Sequence, residues 1–171
     1  QFIFGMVVLG LTQGMQPIVG YNYGAKRHDR VKSALMHTIF WATLVTTLGF
    51  IICEFIPETV AKAFTTEPAL IEHAAWAMKT MCIFMPFIGF QLVTTNFFQS
   101  VGLVNKSIFL SLTRQVLLLI PLLLILPHFI GEKGVWYSMP ISDIIAAILT
   151  VIMLMLQFRE WSKAGLITNN K

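Results

Sequence analysis

Charged residues punctuate this sequence at wide intervals, and the stretches between them are long and apolar. Residues 1–25 hold no Asp, Glu, Lys or Arg, and neither do residues 34–53, 80–105, 115–131 and 144–158. A helix that crosses a bilayer needs about 20 mostly apolar residues. Extended by its apolar flanks, each stretch meets that need. The pattern therefore predicts five helices, over about 2–23, 34–56, 70–104, 107–130 and 136–159. The third is too long for the membrane alone, so its first two turns, near 69–79, are expected to project into or along the interface. The runs lack the two-residue alternation of a transmembrane barrel. No basic segment precedes the first run, as a signal peptide would require. Five spans is an odd count for a self-sufficient transporter built of paired repeats, so the chain reads as part of something longer.

Composition narrows the class. Of the 171 residues, 56% are hydrophobic and only 12% charged, with a mean hydropathy of +0.75. A soluble domain carries about 25% charged residues. At half that density the chain cannot cover a water-facing surface. This excludes an ordinary soluble domain, a disordered chain and a nucleic-acid-binding domain. An all-α membrane protein, a polytopic bundle with the lipid bilayer as solvent, is the class left. Cys53 and Cys82 both fall in apolar runs and make neither a disulfide framework nor a metal spacing. H-E-x-x-H, G-x-S-x-G, C-x-x-C and P-loop patterns are absent. No catalytic residue, no metal ligand and no cofactor is therefore expected, and the protein is not read as an enzyme.

The basicity has a topological explanation. Lys26, Arg27, Arg30, Lys32, Lys106, Arg114, Arg159, Lys163 and Lys171 fall to one side of the predicted spans. Lys62, Lys79 and Lys133 fall to the other, with Glu54, Glu58, Glu67, Glu72, Glu132 and Asp143. Asp29 and Glu160 complete a balance of +7 against −3, which gives the net +4. Excess Lys and Arg mark the cytoplasmic side. The expected arrangement is a multi-pass protein with the first helix entering the cytoplasm and the C-terminus cytoplasmic. Nucleic acid is not implied.

Polar residues within the spans are the candidate chemistry. Helix one carries Gln13 and Gln16 on one face, with Thr12, Pro17 and Asn22 nearby. Gly10–Gly14 and Gly20–Gly24 have the spacing that lets backbones approach closely, and Pro17 is expected to bend the helix. These amides suit either a tightly packed helix or the wall of a cavity. Helix three carries Gln91, Thr95 and Gln99 at i, i+4 and i+8, with Thr94 and Asn96 beside them, which predicts one polar stripe. Amides stay in hydrocarbon only when they face protein or water. Phe84, Phe87, Phe90, Phe97 and Phe98, with Met78, Met81 and Met85, surround the stripe. They suit a deformable cation-binding surface or plain packing. Glu54 and Asp143 are expected near the outer ends of helices two and five, as interfacial carboxylates or as ion-coupling groups. Arg114 is expected to snorkel to the interface, and His37 to be packed and neutral. No acid is expected at the middle of a span, and no Lys or Arg at depth.

Specific motifs then accumulate in order. Gly10–Arg27, reading GLTQGMQPIVGYNYGAKR, resembles the segment that closes the eighth helix of MATE transporters, the multidrug and toxic compound extrusion family. Pro86-Phe87 and Phe98-Gln99-Ser100-Val101-Gly102 resemble the tenth helix. Ser111–Gln115 with Pro121 resembles the eleventh. Gly134-Val135-Trp136 and Pro140-Ile141-Ser142-Asp143 resemble the start of the twelfth. The likeness covers nearly the whole chain and has the flavour of the prokaryotic branch. It implies that residues 1–171 form spans eight to twelve, a partial C-terminal lobe of a twelve-helix exporter. Span seven and the N-terminal lobe would be absent. It further implies secondary antiport in a bacterial inner membrane: a cationic or amphipathic drug leaves in exchange for Na⁺ or H⁺ through a cavity between two lobes. Gln91, Thr95, Asn96, Gln99, Gln13 and Gln16 would line this lobe's wall. Some members carry an acid in span ten; this sequence has none there, which points the coupling acids to the missing lobe. The alternative is a related exporter of lipid-linked precursors or polysaccharide, which would favour a cationic cavity.

Overall fold

The computed structural model describes residues 2–165. Lys171, which the charge reading places in the cytoplasmic tail, lies outside them. The elements are α1 (Phe2–Gly24), α2 (His28–Phe55), α3 (Pro57–Lys62), α4 (Pro68–Cys82), α5 (Met85–Ser100), α6 (Val104–Leu112), a π-helical segment (Thr113–Leu119), α7 (Ile120–Ile130) and α8 (Lys133–Lys163). No strand occurs among the described residues. Four helical stretches are long and apolar enough to cross a membrane: Ile3–Gly24, His28–Phe55, Val104–Ile130 and Lys133–Lys163. The pair α4 and α5, bent by 47°, is long and apolar enough when taken together to count as a fifth, broken span.

That bend corrects the single helix expected over 70–104. Pro86 cannot donate a backbone hydrogen bond, and its ring clashes with the carbonyl of the residue four back, Cys82. The helix breaks there and restarts with Pro86 in its first turn, where the missing N–H costs nothing. Pro57 and Pro68 open α3 and α4 in the same way. The first basic loop is also shorter than expected. Lys26 takes a left-handed φ of 57° in the turn, and α2 starts at His28, so Arg30 and Lys32 lie on its first turns.

The long helices α1, α2 and α8, and α5 beside them, bury one face and leave much of the rest apolar for lipid, whereas α7 buries no residue fully. α1 buries Val8, Thr12, Met15 and Val19, spaced by four, three and four. α8 buries Ser138, Ser142, Ala146, Thr150 and Leu154, a ridge of every fourth residue. The core joins these to Val31, Leu35 and Ala42 of α2 and to Val93, Phe97 and Phe98 of α5. Phe40, Leu48, Leu117, Leu124 and Met155 are exposed on the outside. Buried hydroxyls bond within their own helices: Thr46 donates to the Ala42 carbonyl at 3.0 Å, Thr94 to Phe90 at 2.9 Å and Thr150 to Ala146 at 2.7 Å.

The glycines that let helices touch are not the ones whose spacing suggested it. A Cβ on Gly10, Gly14 or Gly24 would meet nothing within 4 Å, and one on Gly20 only the Ser100 carbonyl at 3.6 Å. The tight approaches are at Gly49, Gly89 and Gly134. A Cβ on Gly134 would lie 2.5 Å from the Leu126 carbonyl carbon and 2.6 Å from the Pro127 nitrogen. Backbone atoms cannot rotate away. Gly134→Ala is therefore expected to splay the α7–α8 hairpin and cost about 1–3 kcal/mol. A lower thermal midpoint of the detergent-solubilised full-length protein would register this; an unchanged midpoint would refute it.

The two ends of the bundle differ. At the basic end, Trp161 of α8 stacks on Tyr23 at 5.7 Å and lies 5.1 Å from the His28 ring. Lys32 sits over Phe158 at 5.8 Å, and Lys106 donates to Gln157 at 2.7 Å and faces Glu160 at 3.5 Å. These contacts pin the end of α8 to α1, α2 and α6. The acidic end carries α3, the start of α4 and the turn at Gly131.

Candidate functional site

α1 and α5 run side by side in the same direction. Gln16 Nε2 donates to Asn96 Oδ1 at 3.3 Å, and Gly20 approaches Ser100 one turn further on. Asn96 also donates to the Leu92 carbonyl at 2.8 Å, which fixes its amide for the Gln16 bond. Gln13 lies near the midpoint of α1 and is exposed, on a face shared with Gly10, Gly14 and Pro17. Thr95 is half-buried and Gln99 exposed. Five of the six predicted wall residues thus sit on uncovered or half-covered faces of two adjacent helices, and Gln16 and Asn96 touch.

Gln91 departs from the expected stripe. It is buried, at 4% exposure, and its Nε2 has no hydrogen-bond partner among the described residues. The reason is geometric. Each i+4 step turns about 40° round an α-helix, so Gln91 and Gln99 stand about 80° apart. Gln91 therefore points into the bundle while Gln99 points out of it.

The larger correction concerns charge. Arg114 Nε donates to Asp143 Oδ1 at 2.8 Å, and the Asp143 side chain is only 7% exposed. Asp143 is ten residues into α8, about 15 Å from its start, and Arg114 is equally far into the span that begins at Val104. Neither stands at an interface. An acid does lie within a span, and an Arg does lie at depth. The sequence alone suggests terminal charges because the two partners lie 29 residues apart. The pair sits on the π-helical segment Thr113–Leu119, whose Arg114 carbonyl accepts a bond from Ser142 Oγ at 3.0 Å. Side chain and backbone of Arg114 are thus both held by α8. Wide helical turns of this kind free backbone groups for such partners and recur at functional positions.

Glu54 is half-buried, next to the last residue of α2, as expected for an end carboxylate. His37 is exposed rather than packed; its Nδ1–H donates to the Ser33 carbonyl at 2.8 Å. Three clefts of about 540, 490 and 400 Å³ open round Trp76 at the acidic end. None is lined by Gln13, Gln16, Gln91, Thr95, Asn96 or Gln99. The polar wall is an open face of this chain rather than an enclosed pocket in it.

Comparison with known proteins supplies the context for such a face. The sequence model of the MatE family matches residues 1–125. An FAD transporter of Shewanella oneidensis is 26% identical over 144 residues, covering 84% of this chain and 32% of that protein. The multidrug export protein MepA of Staphylococcus aureus is 22% identical over 151 residues, covering 88% of this chain and 33% of its own length. Among solved structures, the MATE multidrug transporter DinF-BH superposes with a TM-score of 0.86 at 38% identity, over 94% of this chain and 35% of that one. An inward-facing multidrug resistance MATE transporter shares the fold at a TM-score of 0.85 and 21% identity, over 95% of this chain and 38% of that one. The chain thus spans about a third of the length of the curated relatives it matches.

Proposed function

The chain belongs to the MatE family of membrane transporters, and on that premise we propose that it is part of the C-terminal lobe of an exporter of cationic or amphipathic drugs. The remaining lobe covers the open α1–α5 face, and substrate binds between the two. Export runs against entry of Na⁺ or H⁺, by rocking of the lobes round a midplane cavity. The basic end faces the cytoplasm of a bacterial inner membrane, as the Lys/Arg bias indicates.

The observation that carries this reading is the exposure of Gln13 and Gln99, with Thr95 half-buried, within spanning helices. Amides and hydroxyls at that depth are excluded from acyl chains, so the face that bears them turns to protein or water. A wall of uncharged donors and acceptors suits varied organic cations, which bind by loose, replaceable contacts. The coupling acids belong to the remaining lobe: Asp143 is occupied by Arg114, and Glu54 stands at the end of α2.

The name of the Shewanella relative raises an anionic, phosphate-bearing substrate, and the lipid-linked precursor reading asks for the same cationic wall. Arg114 is at depth, but its charge is matched by Asp143 at 2.8 Å. The open face keeps no uncompensated Lys or Arg, which favours the drug reading.

Ethidium efflux from cells producing the full-length protein tests the wall. Gln99→Leu is expected to lower efflux several-fold at matched expression, whereas Gln91→Leu, at a side chain buried inside the bundle, is the off-wall comparison. Wild-type efflux from Gln99→Leu would remove that side chain from the substrate path.

A further inference from the structure

Cys53 and Cys82 carry no role in the transport scheme, yet the fold brings them together from separate helices. Both are free thiols, buried at 7% and 4% exposure. They share one cluster with Met85, walled by Phe4 and Phe50, and their side chains meet. Cys53 lies two residues before the end of α2, and Cys82 is the last residue of α4. The 47° break between α4 and α5 follows at once. On the far side of that break, Met85 packs over Gly49 of α2. The two cysteines therefore lie together at the junction between α2 and the bent span.

A cleft of about 400 Å³ lies beside the buried pair: its lining includes Glu54 and Ile83, which follow Cys53 and Cys82 in the chain, together with Lys79, Thr80 and Phe84. It opens at the acidic end. On the orientation given above, that end faces the oxidising compartment, where disulfides persist.

We propose that Cys53 and Cys82 are a redox modification site: a reversible dithiol–disulfide pair that ties α2 to α4 at the break and fixes the bend. The oxidant is a disulfide compound or thiol oxidase reaching the acidic end. One cysteine thiolate attacks a sulfur of the oxidant's disulfide and releases the first oxidant thiolate. The second cysteine attacks the mixed disulfide and releases the other. The Cys53–Cys82 bond forms and the oxidant's bond breaks. The pair gives up two electrons, and the two thiol protons end on the reduced oxidant. Closing the bond removes relative motion between α2 and α4 inside this lobe, and transport is lost where the bent span flexes at its break during the cycle. Bond formation follows from the Cys53–Cys82 contact and is independent of the substrate; locking rests on the transport reading.

The test uses the full-length protein in proteoliposomes, treated with oxidised glutathione or diamide and then with dithiothreitol. Mass spectrometry of digested protein is expected to show a linked Cys53–Cys82 peptide after oxidation and its loss after reduction. Ethidium uptake is expected to be lost and regained in parallel, and Cys53→Ser protein to be insensitive to either treatment. Two reactive thiols and no linked peptide after oxidation would overturn the site. A linked peptide with undiminished uptake would overturn the lock while leaving the site. Absence of uptake before any treatment would count against the transport reading alone, since the linked peptide is scored without it.

Discussion

Replacing Asp143 by Asn in the full-length protein is expected to destabilise it by about 1–3 kcal/mol, less than the cost of unpairing a fully buried ion pair because the Arg114 side chain left behind is 26% exposed. The guanidinium of Arg114 would keep its charge within the span with no carboxylate to match it. Arg114→Met should be at least as damaging from the other side, because Asp143, at 7% exposure, is too buried for water to replace its partner. The double variant Arg114→Met/Asp143→Leu should recover much of the loss, since removing both charges removes the need for either. The recovery will be incomplete if the π-helical turn depends on the Arg114 side chain as well as on the Ser142 bond to its carbonyl. Thermal midpoints of the four proteins in detergent, read by size-exclusion chromatography after heating, form the required cycle. Two single variants as stable as the parent would show that the pair carries no weight.

Gly89→Ala is the second change with a large expected effect. A Cβ at Gly89 would sit 2.7 Å from Thr46 Oγ1 and 2.8 Å from the Ala42 carbonyl oxygen. Thr46 could turn its hydroxyl away, but the Ala42 carbonyl is helix backbone and cannot. That hydroxyl also bonds the Ala42 carbonyl at 3.0 Å and the Pro86 carbonyl at 3.3 Å, so it ties the first turn of α5 to α2. The substitution therefore separates two helices and disturbs the break together. About 1–3 kcal/mol of overpacking cost is expected, more than for Thr46→Val, which keeps the volume and loses only the hydroxyl bonds. The same heating assay ranks them. Equal midpoints for Gly89→Ala and the parent would mean that the helices do not approach this closely.

Much of this architecture was legible because charge and hydrophobicity act locally. A span must be apolar over its own length, so five of them could be counted from where Lys, Arg, Asp and Glu fall. The break near residue 83 was less visible, although Pro86 carried the signal: a proline forbids the hydrogen bond four residues back, and Cys82 ends α4. What depends on distant partners could not be read. Arg114 and Asp143 look like end charges until α8 is laid against the π-helical segment. Gly10 and Gly14 have the spacing of a packing motif, yet Gly49, Gly89 and Gly134, which no spacing marks, make the close approaches. The polar stripe divides for a similar reason. A four-residue repeat fixes neighbours but drifts round the helix, so Thr95 and Gln99 stayed on the open face while Gln91 turned inward.

The central claim is that the face bearing Gln13 and Gln99 borders water or protein, while the remaining apolar faces border lipid. Single cysteines at Gln13 and Gln99, with lipid-side controls at Phe40 and Leu124, test it directly in the full-length protein depleted of its native cysteines. A water-soluble maleimide should label positions 13 and 99 in membranes, and excess ethidium should slow that labelling; positions 40 and 124 should stay unlabelled and instead respond to a quencher dissolved in the acyl chains. Acyl-chain quenching at 13 and 99 without aqueous labelling would contradict the account.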